Sequence, residues 1–111
     1  MYFKWTAPYG PSYLPQWVGK GKAVVDAIEA YKKEHGTYPE GLPTEIDIRE
    51  IPGCKSVTYS KRLAKDGKEF YVIKMFIHIN ELVMYDSRGN LEQITGWGPC
   101  EILDGWMWTK D

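Results

Sequence analysis

A chain of 111 residues, 43% hydrophobic and 14% aromatic, is long enough to bury one core and too short for two, which argues against both a disordered and a multidomain protein. Its 14 Lys and Arg stand against 15 Asp and Glu, a formal net charge of -1. The two signs are interleaved, so there is no basic stripe to neutralise phosphates, and no nucleic-acid partner is expected.

Residues 1–13 carry Pro8, Gly10 and Pro11 among Tyr2, Phe3, Trp5, Tyr9 and Tyr13. They read as an extended arm with aromatic anchors, and not as a signal or transit peptide. From Leu14 the apolar residues Leu14, Trp17, Val18, Gly21, Val24, Val25, Ile28, Tyr31 and His35 recur at steps of three and four. That spacing predicts an amphipathic helix over 14–36, with Ser12 as its N-cap and Gly36 as its left-handed C-cap. Glu29 and Lys33 stand in the favourable order for a pair on its outer face. His35 is placed to interact with the helix dipole and the last carbonyls.

Residues 37–55 form a connecting loop in which Leu42, Ile46, Ile48 and Ile51 supply core contacts, with a short helical turn near Thr44. From Val57 the period becomes two, predicting an antiparallel meander over 56–95. Its strands are Val57 to Leu63, Phe70 to Ile79, Leu82 to Tyr85 and a fourth at Leu91 to Ile94. Asp66-Gly67 reads as a two-residue hairpin turn, and Ser87-Arg88-Gly89-Asn90 as a second turn. Residues 96–111, with Trp97, Trp106 and Trp108 among Gly96, Gly98, Pro99 and Gly105, read as an irregular tail that covers the second sheet face. The fold class is therefore α+β, one long N-terminal helix packed on an antiparallel sheet of three to four strands.

Cys54 and Cys100 are the only thiols. An even count in a small domain allows one disulfide, worth about 4 kcal/mol in the chain-entropy model and pointing to an oxidising compartment. The alternative is two reduced thiols in the cytosol. With Cys54, Cys100, His35 and His78 as the whole inventory of soft ligands and no close paired spacing, no zinc site is expected. Ser12, Ser56, Ser60 and Ser87 fit cap, strand or turn positions, and the chain has neither a Gly-x-Ser-x-Gly elbow nor a phosphate-cradling glycine loop. No catalytic residue and no cofactor is implied. Trp5, Tyr9, Tyr13, Trp97, Trp106 and Trp108 lie in the terminal segments. Together they would make a platform for a carbohydrate or peptide, a subunit interface, or a small second core.

At the helix exit the run Ala27 to Pro43, AIEAYKKEHGTYPEGLP, resembles the soluble domains of type IV pilin-like proteins, including the pseudopilins of type II secretion systems. The residues carrying the resemblance are Tyr31, Gly36, Tyr38, Pro39 and Leu42. The resemblance implies a pilin-like fold and a place on the periplasmic or extracellular side of the bacterial cell envelope. It also implies a non-enzymatic role in assembly or secretion through a protein partner or self-assembly. Contact with a membrane is expected only through a segment outside this chain. Some major pseudopilins bind calcium in a C-terminal loop, but Asp86, Asn90, Glu92, Glu101 and Asp104 lack the ordered spacing of a calcium loop, and no metal is expected. The alternative function is a secreted or periplasmic binding module that holds its ligand with the aromatic terminal segments.

Overall fold

The computed structural model of the chain describes residues 13–78, 81–89 and 100–110. Helix α1, Leu14–His35, buries Leu14, Trp17, Val18, Gly21, Val24 and Ile28, the stripe that a 3.6-residue period lays against a core. Its N-cap is Tyr13, whose side chain makes no capping hydrogen bond, and Ser12, the expected cap, lies outside the described residues. Pro15 takes over the start instead, since its fixed φ suits the first turn, where an N–H would have no partner. Gly36 ends the helix at φ 80° and returns its N–H to the Lys32 carbonyl, the left-handed cap expected of it.

The connecting loop holds one 3-10 turn at Ile48–Glu50, later than the turn expected near Thr44. Asp47 sets its position by accepting the Arg49 N–H at 3.0 Å. Among the described residues five antiparallel strands follow: β1 Cys54–Leu63, β2 Glu69–Ile77, β3 Glu81–Asp86, β4 Cys100–Leu103 and β5 Trp106–Lys110. Their spatial order is β1-β2-β3-β5-β4. The β1–β2 turn is one residue longer than the Asp66-Gly67 pair alone suggests. Gly67 N–H bonds Ala64 O and Ala64 N–H bonds Lys68 O, both at 2.9 Å, with Gly67 at φ 85°. This is a three-residue loop closed by a glycine bulge.

The tail differs most from expectation. The segment read as irregular forms the β4–β5 hairpin, and β5 pairs with β3 from Tyr85 opposite Trp106 to Glu81 opposite Lys110. Asp104 and Gly105, at φ 51° and 85°, make the turn. Two successive positive φ values twist the backbone in the sense the flanking strands need. The expected strand Leu91 to Ile94 lies outside the described residues.

The sheet has two apolar faces. Under the helix, Tyr71, Ile73, Met75 and Ile77 of β2 meet Val83, Trp106, Trp108 and the helix stripe in one buried cluster. On the far face Phe70, Val72, Leu82, Met84 and Met107 form a second, with the Arg88 guanidinium 3.6 Å over the Phe70 ring. Trp106 and Trp108 therefore belong to the main core and do not cover the second face. Trp108 Nε1 donates to the buried Glu81 carboxylate at 2.8 Å, satisfying the indole N–H that burial takes from water.

Candidate functional site

The five residues of the helix-exit pattern line the last turns of α1 and the start of the connecting loop, each with a partner of its own. Tyr31 stacks on His35 with ring centroids 4.0 Å apart, one helical turn along, and His35 Nδ1 lies 3.1 Å from the Tyr31 carbonyl. Gly36 turns the chain. Tyr38 packs edge-on to the fully buried Tyr71 at 4.9 Å under the Lys32 ammonium, 4.5 Å from its ring. Pro39 is buried and its carbonyl accepts the Tyr59 hydroxyl at 2.6 Å. Leu42 packs half-buried against the main core.

A polar clasp closes this junction from the sheet side. The Glu69 carboxylate, on the first residue of β2, accepts the Thr37 hydroxyl at 2.7 Å and the Tyr38 N–H at 3.0 Å. Lys61 Nζ donates to Thr37 Oγ1 at 3.1 Å and lies 3.7 Å from Glu69 and 3.5 Å from Glu40. On the other side of Tyr38, the Tyr71 hydroxyl donates to Glu29 at 2.8 Å, so Glu29 turns to the sheet, and the expected pair with Lys33 is not among the ion pairs of the described residues. The signal for these sequence-distant partners was parity. Lys61 shares the inward-facing phase of Val57 and Tyr59, and Glu69 that of Tyr71 and Ile73. A charge in such a phase needs a partner.

The electrostatics follow from this packing. Burial, then the Glu29 carboxylate, pushes the Tyr71 phenol far up. Tyr59 is pushed up to about 12, chiefly by burial. The Tyr38 N–H, then the Thr37 hydroxyl, hold Glu69 below the ordinary carboxylate range. Because the folded state favours ionised Glu69, its contribution is full above the unfolded value and is lost as pH falls through the lower folded one. We expect Glu69→Gln to be less stable than wild type at neutral pH. The difference should shrink towards zero once the pH is below about 4, the unfolded range of Glu. Chemical denaturation at a series of pH values measures it, and a gap that widens on acidification would show the reverse linkage.

The proposed cysteine pair is not made. Cys54 is a free thiol on β1, and Cys100 begins β4, the opposite edge of the sheet. Four strand spacings of about 4.8 Å put the two roughly 19 Å apart, where a disulfide needs Cα atoms within about 7 Å. The cysteines therefore give no support to an oxidising compartment. Burial pushes the Cys54 thiol up, away from the thiolate that a nucleophile needs, and its Sγ lies 3.4 Å from the Ser56 carbonyl. His78 is not a strand residue but the turn residue after β2, at φ 51°, its N–H bonded to Gly53 O at 3.0 Å. Ser60 accepts from Arg62 Nε at 3.2 Å and Ser87 Oγ from the Tyr71 N–H at 3.0 Å. Among the described residues no three His, Cys, Asp or Glu side chains are grouped to hold a metal. Asp86 is occupied instead by the Arg88 N–H and guanidinium, at 2.8 and 2.9 Å.

The aromatic platform is dismantled on the residues that can be placed. Trp106 and Trp108 are 2% and 4% exposed, and Tyr13 is half-buried 6.0 Å from Trp17. Trp5, Tyr9 and Trp97 lie outside the described residues. Among the described residues, two shallow grooves lie beside the helix. One, of about 280 Å³, runs between α1 and the β4–β5 turn past Lys22, Asp26, Tyr85 and Asp104. The other, of similar size, lies between α1 and the loop carrying Glu45, Asp47 and Glu50. No protein-family model, curated protein or solved structure matches the chain.

Proposed function

We propose that this chain is a pilin-like soluble domain of a bacterial cell-envelope protein, acting in assembly or secretion through protein contacts and not through catalysis. The observation that carries the reading is the helix exit. Tyr31, Gly36, Tyr38, Pro39 and Leu42, the residues of the family resemblance, occupy one junction. There Gly36 ends the helix, and Tyr38 and Pro39 pin its exit to the sheet through the Tyr71 ring and the Tyr59 hydroxyl. The chain order of helix, connecting loop and antiparallel sheet agrees with it. The envelope placement rests on that resemblance alone, because the cysteines no longer contribute.

The test is to express the protein from its own gene with a photoreactive residue at Lys33 or Glu34, both on the exposed helix face. Cells are irradiated and then fractionated. We expect recovery with the envelope or the external medium and a discrete cross-linked adduct to a protein or to a second copy. Recovery in the cytosol without any adduct would sink the reading.

A further inference from the structure

Three large apolar side chains stand in water among the described residues, and Leu63, at 70%, is more exposed than Ile102 or Phe76. It is the last residue of β1 and borders the loop to β2. The run from Lys61 to Lys68, KRLAKDGK, holds four cations and one anion. The anion, Asp66, is exposed in the turn, where its Oδ1 accepts the Lys68 N–H at 3.0 Å, so the tip keeps a net positive charge from three exposed cations against one carboxylate. Lys61 is drawn into the clasp with Glu69 and Glu40. Arg62, Lys65 and Lys68 are exposed and make no ion pair among the described residues. The bonds from Thr37 and Tyr38 to Glu69 bring the basic last turn of the helix, with Lys32 and Lys33, to the base of this same hairpin.

We infer that the β1–β2 hairpin tip docks on an anionic bilayer surface, with Leu63 entering the interfacial layer and Arg62, Lys65 and Lys68 set against lipid headgroups. Cations beside an anionic leaflet are attracted within a Debye length, and the exposed Leu63, on the sheet face opposite Arg62 but on the same hairpin, gains by leaving water when the tip enters edge-on. Lysines alone would suit a strand edge protected from pairing. That role gives no reason for an exposed leucine at the tip. A nucleic acid or an acidic protein surface would use the charges and be indifferent to Leu63. The inference is independent of the pilin-like reading, and adds a membrane contact within the chain where the sequence led us to expect none.

The full chain is sedimented with vesicles of phosphatidylcholine alone or mixed with phosphatidylglycerol. We expect binding only to the mixed vesicles. Lys65→Glu with Lys68→Glu should weaken it on the order of 100-fold, and Leu63→Ser roughly tenfold. The same charge change at two distant exposed sites, Lys22→Glu with Lys55→Glu, should have little effect. A Leu63→Trp variant gives a second readout, its added emission shifting to the blue on the mixed vesicles. All these side chains are exposed, and circular dichroism checks that each variant is folded. No binding, equal loss in the Lys22 and Lys55 pair, or binding indifferent to Leu63 would each overturn the inference, the last pointing to a purely charged partner.

Discussion

Replacing Gly21 by alanine should destabilise the protein by about 1–2 kcal/mol, while the same change two residues earlier, at Gly19, should stabilise it by about 0.5–1 kcal/mol. Both glycines lie inside α1, where alanine is the better helix former because it loses less backbone freedom on folding. Around Gly19 a Cβ would meet nothing within 4 Å, so only that gain remains. At Gly21 a Cβ would run into the Trp106 ring and come within 3.0 Å of Met75 Cε. Trp106 cannot step aside, since it is 2% exposed and held against Tyr85 at 5.0 Å. The overpacking cost in such a core, about 1–3 kcal/mol, exceeds the helix gain. Urea denaturation of the two variants reads the opposite signs directly. If both are stabilised, the helix does not pass this close to β5.

The contrast between α1 and the tail explains how far the sequence could be read. The helix was legible because one face is buried and the other is wet, so periodicity, the Gly36 stop and the core stripe all agreed. Strand β5 carries no such alternation. It lies between β3 and β4 with Trp106 and Trp108 under the helix and Met107 in the far cluster, so both faces are apolar and the period-two signal vanishes. The Asp104-Gly105 pair was the surviving clue, outweighed by the glycines and proline just before it.

Strand order explains the cysteine error. Insertion of β5 beside β3 carries Cys100 to the far edge, and no local pattern records that step. The helix-exit residues, by contrast, were legible because they are neighbours in sequence. Their partners Tyr59, Lys61, Glu69 and Tyr71 showed only as polar or aromatic residues in an inward phase, without any indication of which loop they would meet.

Trp17→Ala should remove about 3–5 kcal/mol, a large share of the roughly 5–15 kcal/mol that holds a small domain folded. Trp17 is fully buried, and its Nε1 donates to the Pro52 carbonyl at 2.7 Å. Trp17→Phe separates the two contributions, because it keeps much of the ring while taking the donor from Pro52, at a cost of about 1–3 kcal/mol for the acceptor left behind. That bond anchors the entry to β1, where Cys54 N–H bonds Ile51 O and His78 N–H bonds Gly53 O, both at 3.0 Å. Loosening the entry should therefore expose the half-buried Cys54 thiol. We expect Trp17→Phe to speed alkylation of Cys54, located by peptide mass, under conditions where the protein stays folded. A loss of stability without faster labelling would mean that the indole contributes packing alone. Faster labelling would show that one helix residue holds the first strand of the sheet in place.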